Sequence, residues 1–140
     1  MYQKDYILRM IEMIGELIAA IIGKIRKGDY KQASDELVNI YYDVLKEDAS
    51  FFRTIPEENL TIKLLQDHNY TNGHLEILAE LFNAEAELSL AQGNKPNSIE
   101  YSRKSLILFE FIDREQKTYS HERINKMDAI RKRIGTLSDT

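Results

Sequence analysis

The residues best equipped for chemistry crowd one stretch of the chain. Glu76, Glu80, Glu85 and Glu87 lie close together. Carboxylates at that density can hold a divalent cation inside a helical bundle. Di-metal bundle sites, however, draw Glu-x-x-His motifs from facing helices. Neither Glu76-Ile77-Leu78-Ala79 nor Glu85-Ala86-Glu87-Leu88 supplies the histidine. His68 and His74 flank a polar loop, where they could meet Asp67 or Glu76 at a surface ion. With His121 they complete the histidines of the chain, and no His-Glu-x-x-His spacing occurs. A solvated acidic face and a solvated loop are the simpler readings. There is no cysteine, hence no thiol nucleophile, thiolate metal site or disulfide. Gly-x-Ser-x-Gly, the phosphate-cradling loop and the Rossmann glycine triplet are all missing from the sequence. The expectation is a chain with no catalytic residues, no metal and no cofactor, and so not an enzyme.

Charge narrows the partners. The net charge is −4, yet residues 117–140 hold six Lys/Arg against three Asp/Glu. A basic tail thus follows an acidic body, and docking of the one on the other is the simplest account. Within the tail Arg123, Lys126, Arg131, Lys132 and Arg133 do not all share one helical face. They lack interleaved aromatics, which makes nucleic-acid binding through this segment the weaker alternative. Tyr41, Tyr42 and Tyr101 either line a binding surface or cover the core edge with hydroxyls in water. Leu17 to Gly23 is far short of the ~20 apolar residues that cross a bilayer. Glu12 and Glu16 also interrupt any signal-peptide core. A cytoplasmic protein without a membrane segment is expected.

The elements that position these residues are helical throughout. Ile7, Ile11, Ile14, Ile18, Ile21 and Ile25 recur at 4-3-4-3-4 spacing, one stripe of a first helix over 2–27. Tyr6, Met10, Met13, Leu17 and Ala20 form a second apolar row beside it. The two rows cover about half the cylinder, more than one neighbour covers. Gly15 and Gly23 read as places of close helix packing. Gly28 suits a left-handed C-cap and Asp29 an N-cap. The second helix, 29–47, buries Tyr30, Ala33, Leu37, Ile40, Tyr41 and Val44. Phe51 and Phe52 plug the core from a connection. Thr54, Pro56 and Glu57 start a short third helix that ends near Gln66. Asn72-Gly73 closes a polar loop, and a fourth helix covers 74–92. Gly93 to Ser98 is a turn with Pro96 in it, capped at Asn97 or Ser98. A fifth helix carries Ile99, Ser102, Leu106, Phe109 and Ile112, and a sixth spans 120–134. Residues 1–134 form one all-α domain of five to six helices in antiparallel hairpins, and 135–140 is a tail expected to fray.

Aligned on their glycines, the two hairpins share a pattern. After Gly28 come Ala33, Leu37 and Ile40; after Gly93 come Ser102, Leu106 and Phe109. Gly28-Asp29-Tyr30-x-x-Ala33-x-x-x-Leu37-x-x-Ile40 resembles the second half of a tetratricopeptide repeat. Leu17, Phe82 and Ala86 fit its first half, whereas Ile21, Glu85 and Ser89 depart from it. The opening Met1-Tyr2-Gln3-Lys4-Asp5-Tyr6-Ile7-Leu8-Arg9-Met10-Ile11 is also similar to the start of a family of small bacterial proteins of unknown function, which implies a bacterial chain. The repeat resemblance implies a short stack whose first helices line a concave surface. Glu80, Asn83 and Glu87 would then face that surface and bind a protein or peptide partner. Ile18, Ile22 and Ile25 would face it too, and would need cover. The expected function is a non-enzymatic protein–protein interaction module. A small-molecule or metal site built on the 74–92 carboxylates is the alternative. A homodimer through the first helix is expected, since its apolar surface can satisfy itself across a twofold axis.

Overall fold

The computed structural model describes residues 2–116 and 119–139, with side chains from Leu8 onward. Seven α-helices and no strand occur among the described residues. They are α1 (Tyr2–Arg26), α2 (Tyr30–Leu45), α3 (Ala49–Arg53), α4 (Leu60–Ile62), α5 (Asn72–Ala91), α6 (Lys95–Glu115) and α7 (His121–Ser138). The count exceeds the expected five to six because the segment between α2 and α5 breaks into short pieces. A 3-10 turn (Glu57–Asn59) precedes α4 and a π-helical stretch (Lys63–Asp67) follows it.

Two hairpins dominate, and the same turn makes both. Gly28 N–H donates to Ile25 O and Asp29 N–H to Lys24 O; Gly93 N–H donates to Leu90 O and Asn94 N–H to Ser89 O. This paired bonding is the Schellman motif, which needs a left-handed residue after the helix. Gly28 and Gly93 supply it with φ of +89° and +82°. Asp29 occupies the N-cap position of α2, but its side chain makes no capping bond.

The stripe on α1 enters the core as its spacing predicts. Ile14, Ile18, Ile21 and Ile25 are buried, with Ile11 partly so; Ile7 lies outside the described side chains. They pack against α5 and α2. The second apolar row fares differently. Met13 and Leu17 stay about half exposed and Ala20 is exposed, while Met10 is partly buried; Tyr6 lies outside the described side chains. The helix α5 is the central member, touched by α1, α2 and α6, and it buries residues on nearly every side. The α5–α6 contact is close because small residues face each other. Ser98 Oγ donates to Ala86 O at 2.8 Å, and Ser105 Oγ to Ala79 O at 2.7 Å. Hydroxyls that bond the neighbouring backbone allow this approach without leaving a buried donor unpaired.

Several boundaries differ from the expected ones. Thr54 does not open a helix; its Oγ1 donates back to Ser50 O and Phe51 O, closing α3. Asn72 and Gly73 lie inside the first turn of α5, because Thr71 caps that helix instead. Asn94, not Asn97 or Ser98, caps α6 by accepting from Asn97 N–H, and Pro96 stands in the first turn. At the far end α7 continues through Gly135 to Ser138. No described helix is long and apolar enough to cross a membrane.

Candidate functional site

The helical period places Glu76, Glu80, Asn83 and Glu87 on one stripe of α5 and turns Glu85 to the opposite side. The helix α7 engages most of that stripe. Lys126 pairs with Glu80. Arg133 reaches three groups: its Nη2 donates to Asn83 Oδ1 at 2.6 Å, its Nη1 to Glu87 Oε1 at 3.3 Å and its Nε to Ser102 Oγ at 2.9 Å. Arg131 meets Glu110 and Asp128, and Arg123 meets Asp113. The basic C-terminal segment is thus docked on the acidic body, on α5 and α6. Burial disfavours the charge on both Lys126 and Arg133. Glu80 and Glu122 outweigh it for Lys126, whose pKa rises; Glu87 does not for Arg133, whose pKa falls.

A groove of about 590 Å³ runs between α1, α5 and α7. From α1 it takes Ile11, Gly15, Ile18, Ala19 and Ile22, and Phe109 of α6 adds to the apolar lining. Five glutamates edge it: Glu12, Glu16, Glu76, Glu80 and Glu122. Against them stand Arg123 and Lys126, both already in ion pairs. Glu76 accepts no hydrogen bond from a described residue. Burial and the neighbouring Glu80 raise its pKa, although Arg123 and Lys126 pull the other way. Glu80 and Asn83 line this groove and Glu87 does not.

Gly15 sits on the groove wall in the middle of α1. A methyl group at its Cβ position would meet nothing within 4 Å, and the same holds for Gly23. The expectation that these glycines allow close packing within the chain is therefore incorrect. Glycine inside a helix costs about 0.8–1.0 kcal/mol relative to alanine, and no described residue packs against the Cβ position of Gly15 to offset that.

A second polar cluster escaped sequence reasoning. Glu85, 4% exposed, accepts from Tyr41 Oη at 3.0 Å and from Arg53 Nε at 2.6 Å. Lys104, 2% exposed, donates from Nζ to Arg53 O at 3.0 Å. These bonds fasten α2, α3, α5 and α6 together. Burial and then Glu85 drive the Tyr41 pKa well up, and the same two causes push Tyr101 to about 12. Tyr41 is thus neither on a binding surface nor a core-edge residue with its hydroxyl in water; Tyr42 is exposed. A signal for Glu85 did exist. Its position falls among Leu78, Leu81, Phe82 and Leu88 on the apolar side of α5, where a carboxylate requires a buried partner.

His68 and His74 make local structural contacts. Thr71 N–H donates to His74 Nδ1 at 3.1 Å, and Thr71 Oγ1 accepts from His74 N–H, forming a capping box. Both His68 and His74 lie beside the Tyr70 ring, with ring centroids 5.8 and 5.0 Å away. Burial lowers the His74 pKa from 6.5. No group of three or more His, Cys, Asp or Glu among the described residues is placed to hold a metal ion. Compared with protein-family models, curated proteins and solved structures, the chain matches none of them.

Proposed function

We propose that this protein is a non-enzymatic protein-interaction module whose binding surface is the groove between α1, α5 and α7. One observation carries the reading: a groove with an apolar wall from Ile11 to Ile22 lies open beside the exposed Ala19, Glu12 and Glu16. Such a wall suits the apolar face of a partner helix. In the repeat-like reading, α1, α5 and α7 are the successive first helices of a short stack, and the groove is its concave side. Three of the four α5 carboxylates are already engaged within the chain. Glu80 and Glu87 are held by α7 cations, and Glu85 by Tyr41 and Arg53. Those same α7 cations are taken from any nucleic acid.

A second surface favours self-association. Met13 and Leu17 expose a continuous apolar edge of α1 on the side away from the groove, so a second copy of the chain can cover it.

Ala19→Arg tests the groove. Ala19 is exposed, so the substitution leaves the fold intact while it blocks the wall. Proteins from the source organism retained by the native chain and lost by Ala19→Arg support the reading. Equal retention by both forms refutes it.

A further inference from the structure

Deepening that reading of the groove, and resting on it, is a question of chemistry: what kind of protein segment fits. We infer that the occupant is a short, basic, amphipathic helix of another protein, with its apolar face against Gly15 and Ala19 and its cations beside Glu12, Glu16 and Glu76.

Three features of the groove converge. The first is shape. Ile11, Gly15, Ile18 and Ile22 follow one line of α1, and from Ile11 to Ile22 the helix rises about 16 Å, three turns. Gly15 and Ala19 form a shallow notch in that line. A residue without a side chain lets a second backbone approach closely, and no described residue comes within 4 Å of the Cβ position at Gly15. The second feature is charge. The groove has five glutamates and two cations, and both cations are already paired. Glu12, Glu16 and Glu76 make no ion pair among the described residues. Complementary charge fixes register and rejects partners of the wrong sign. The third is the state of Glu76, a half-buried carboxylate that accepts no hydrogen bond from a described residue. A cation arriving in the groove relieves that penalty, because an opposite charge close by favours the ionised form.

Other occupants fit less well. A second copy of this chain carries a net charge of −4, and its basic helix is already docked on its own α5 and α6. An acidic peptide would add anions to an anionic edge.

Labelled synthetic peptides of about four helical turns test the inference by fluorescence anisotropy with the full chain. One peptide carries leucine at i, i+3, i+4 and i+7 and lysine elsewhere. The second replaces each lysine by glutamate, and the third scrambles the order of the first. Only the basic amphipathic peptide should bind, and more weakly as salt rises. Gly15→Leu should weaken it about tenfold or more, as should Glu12→Lys combined with Glu16→Lys. Gly15→Leu should retain its melting temperature, because leucine is the better helix former and open space surrounds the site. Glu76→Gln should weaken binding several-fold without lowering the melting temperature. The exposed Glu12→Lys and Glu16→Lys changes keep the test valid should Gly15→Leu misfold.

Binding of the acidic peptide, blocked by Gly15→Leu, overturns the basic-helix inference and leaves the groove as a docking surface. Equal binding of the scrambled peptide, or binding of the basic peptide that no groove substitution alters, overturns the inference as nonspecific attraction. No binding by any peptide overturns it as well, and Ala19→Arg retention then decides separately whether the groove binds protein at all.

Discussion

Replacing Glu85 by alanine should be among the costliest single changes on α5. Its Oε2 alone accepts from both Tyr41 Oη and Arg53 Nε. Tyr41 is fully buried, so its hydroxyl would lose its only described acceptor with no route to water. A stranded buried donor costs about 1–3 kcal/mol. Removing one member of a buried ion pair costs about 3–5 kcal/mol, but the Arg53 side chain is 30% exposed and retains some hydration. The expected total is therefore about 3 kcal/mol, the lower end of that range. Glu85→Gln keeps an acceptor for Tyr41 and loses the charge, so about 1–2 kcal/mol is expected. Tyr41→Phe removes one bond and leaves Glu85 paired with Arg53, at about 1 kcal/mol. Urea unfolding followed by circular dichroism measures all three. With a slope of about 1–3 kcal/mol per molar, Glu85→Ala should lower the midpoint by about 1–3 M. The Glu85→Ala, Tyr41→Phe double variant should cost less than the sum of its parts. A loss below about 1 kcal/mol for Glu85→Ala, or strict additivity in the cycle, refutes the reasoning.

Ile21→Ala, at a 3% exposed site outside the groove, should cost about 2–5 kcal/mol in the same assay; less than about 1 kcal/mol would remove the stripe from the core. Gly28→Val should cost about 1–3 kcal/mol through backbone strain alone, since φ there is +89° and the space around it is empty; an unchanged midpoint contradicts this. The lowered His74 pKa has a definite sign: the folded state binds fewer protons there than the unfolded chain does, so its contribution is present above pH 6.5 and is lost as pH falls through 6.5 towards the folded value. His74→Gln, which keeps a capping-box acceptor, should flatten the melting temperature between about pH 7.5 and 5.5, and an unaltered slope refutes the assignment. Sedimentation equilibrium should give twice 16.4 kDa for the native chain and 16.4 kDa for Leu17→Glu; a monomer throughout rejects the α1 contact.

Periodicity and glycine chemistry were legible in advance. The 4-3 spacing of Ile14, Ile18, Ile21 and Ile25 fixes a buried stripe whatever covers it. The left-handed position at Gly28 follows from where two periodic segments meet, and Gly93 reads as the turn of the second hairpin. Docking of the basic α7 was readable from the charge asymmetry alone. Helix starts were not, because several side chains compete to cap and tertiary position selects one. Asn72-Gly73 reads as a turn, yet the first turn of a helix tolerates both residues once Thr71 and His74 form the box. Thr54 reads as an N-cap, yet its hydroxyl serves the preceding helix. Glu80, Asn83 and Glu87 share a stripe for any α5, but only the position of α7 shows which of them it holds and which face the groove. The vacancy beside Gly15 depends on what α7 and α5 leave open, and no local pattern encodes it.

The order of the chain imposes a cost in time. The isoleucine stripe of α1 is finished at Ile25, but α5, its principal cover, begins at Asn72. At roughly 5–20 residues per second, a ribosome makes α5 several seconds after α1. During that interval α2 covers one flank of the stripe and the rest meets water and other nascent chains. The α5–α6 hairpin has no such delay, because a three-residue turn joins its two helices. A chain stopped between α2 and α5 would carry the isoleucines with only α2 to cover them. Premature termination or slow translation through 46–71 therefore exposes this protein to aggregation far more than interruption after α6 does.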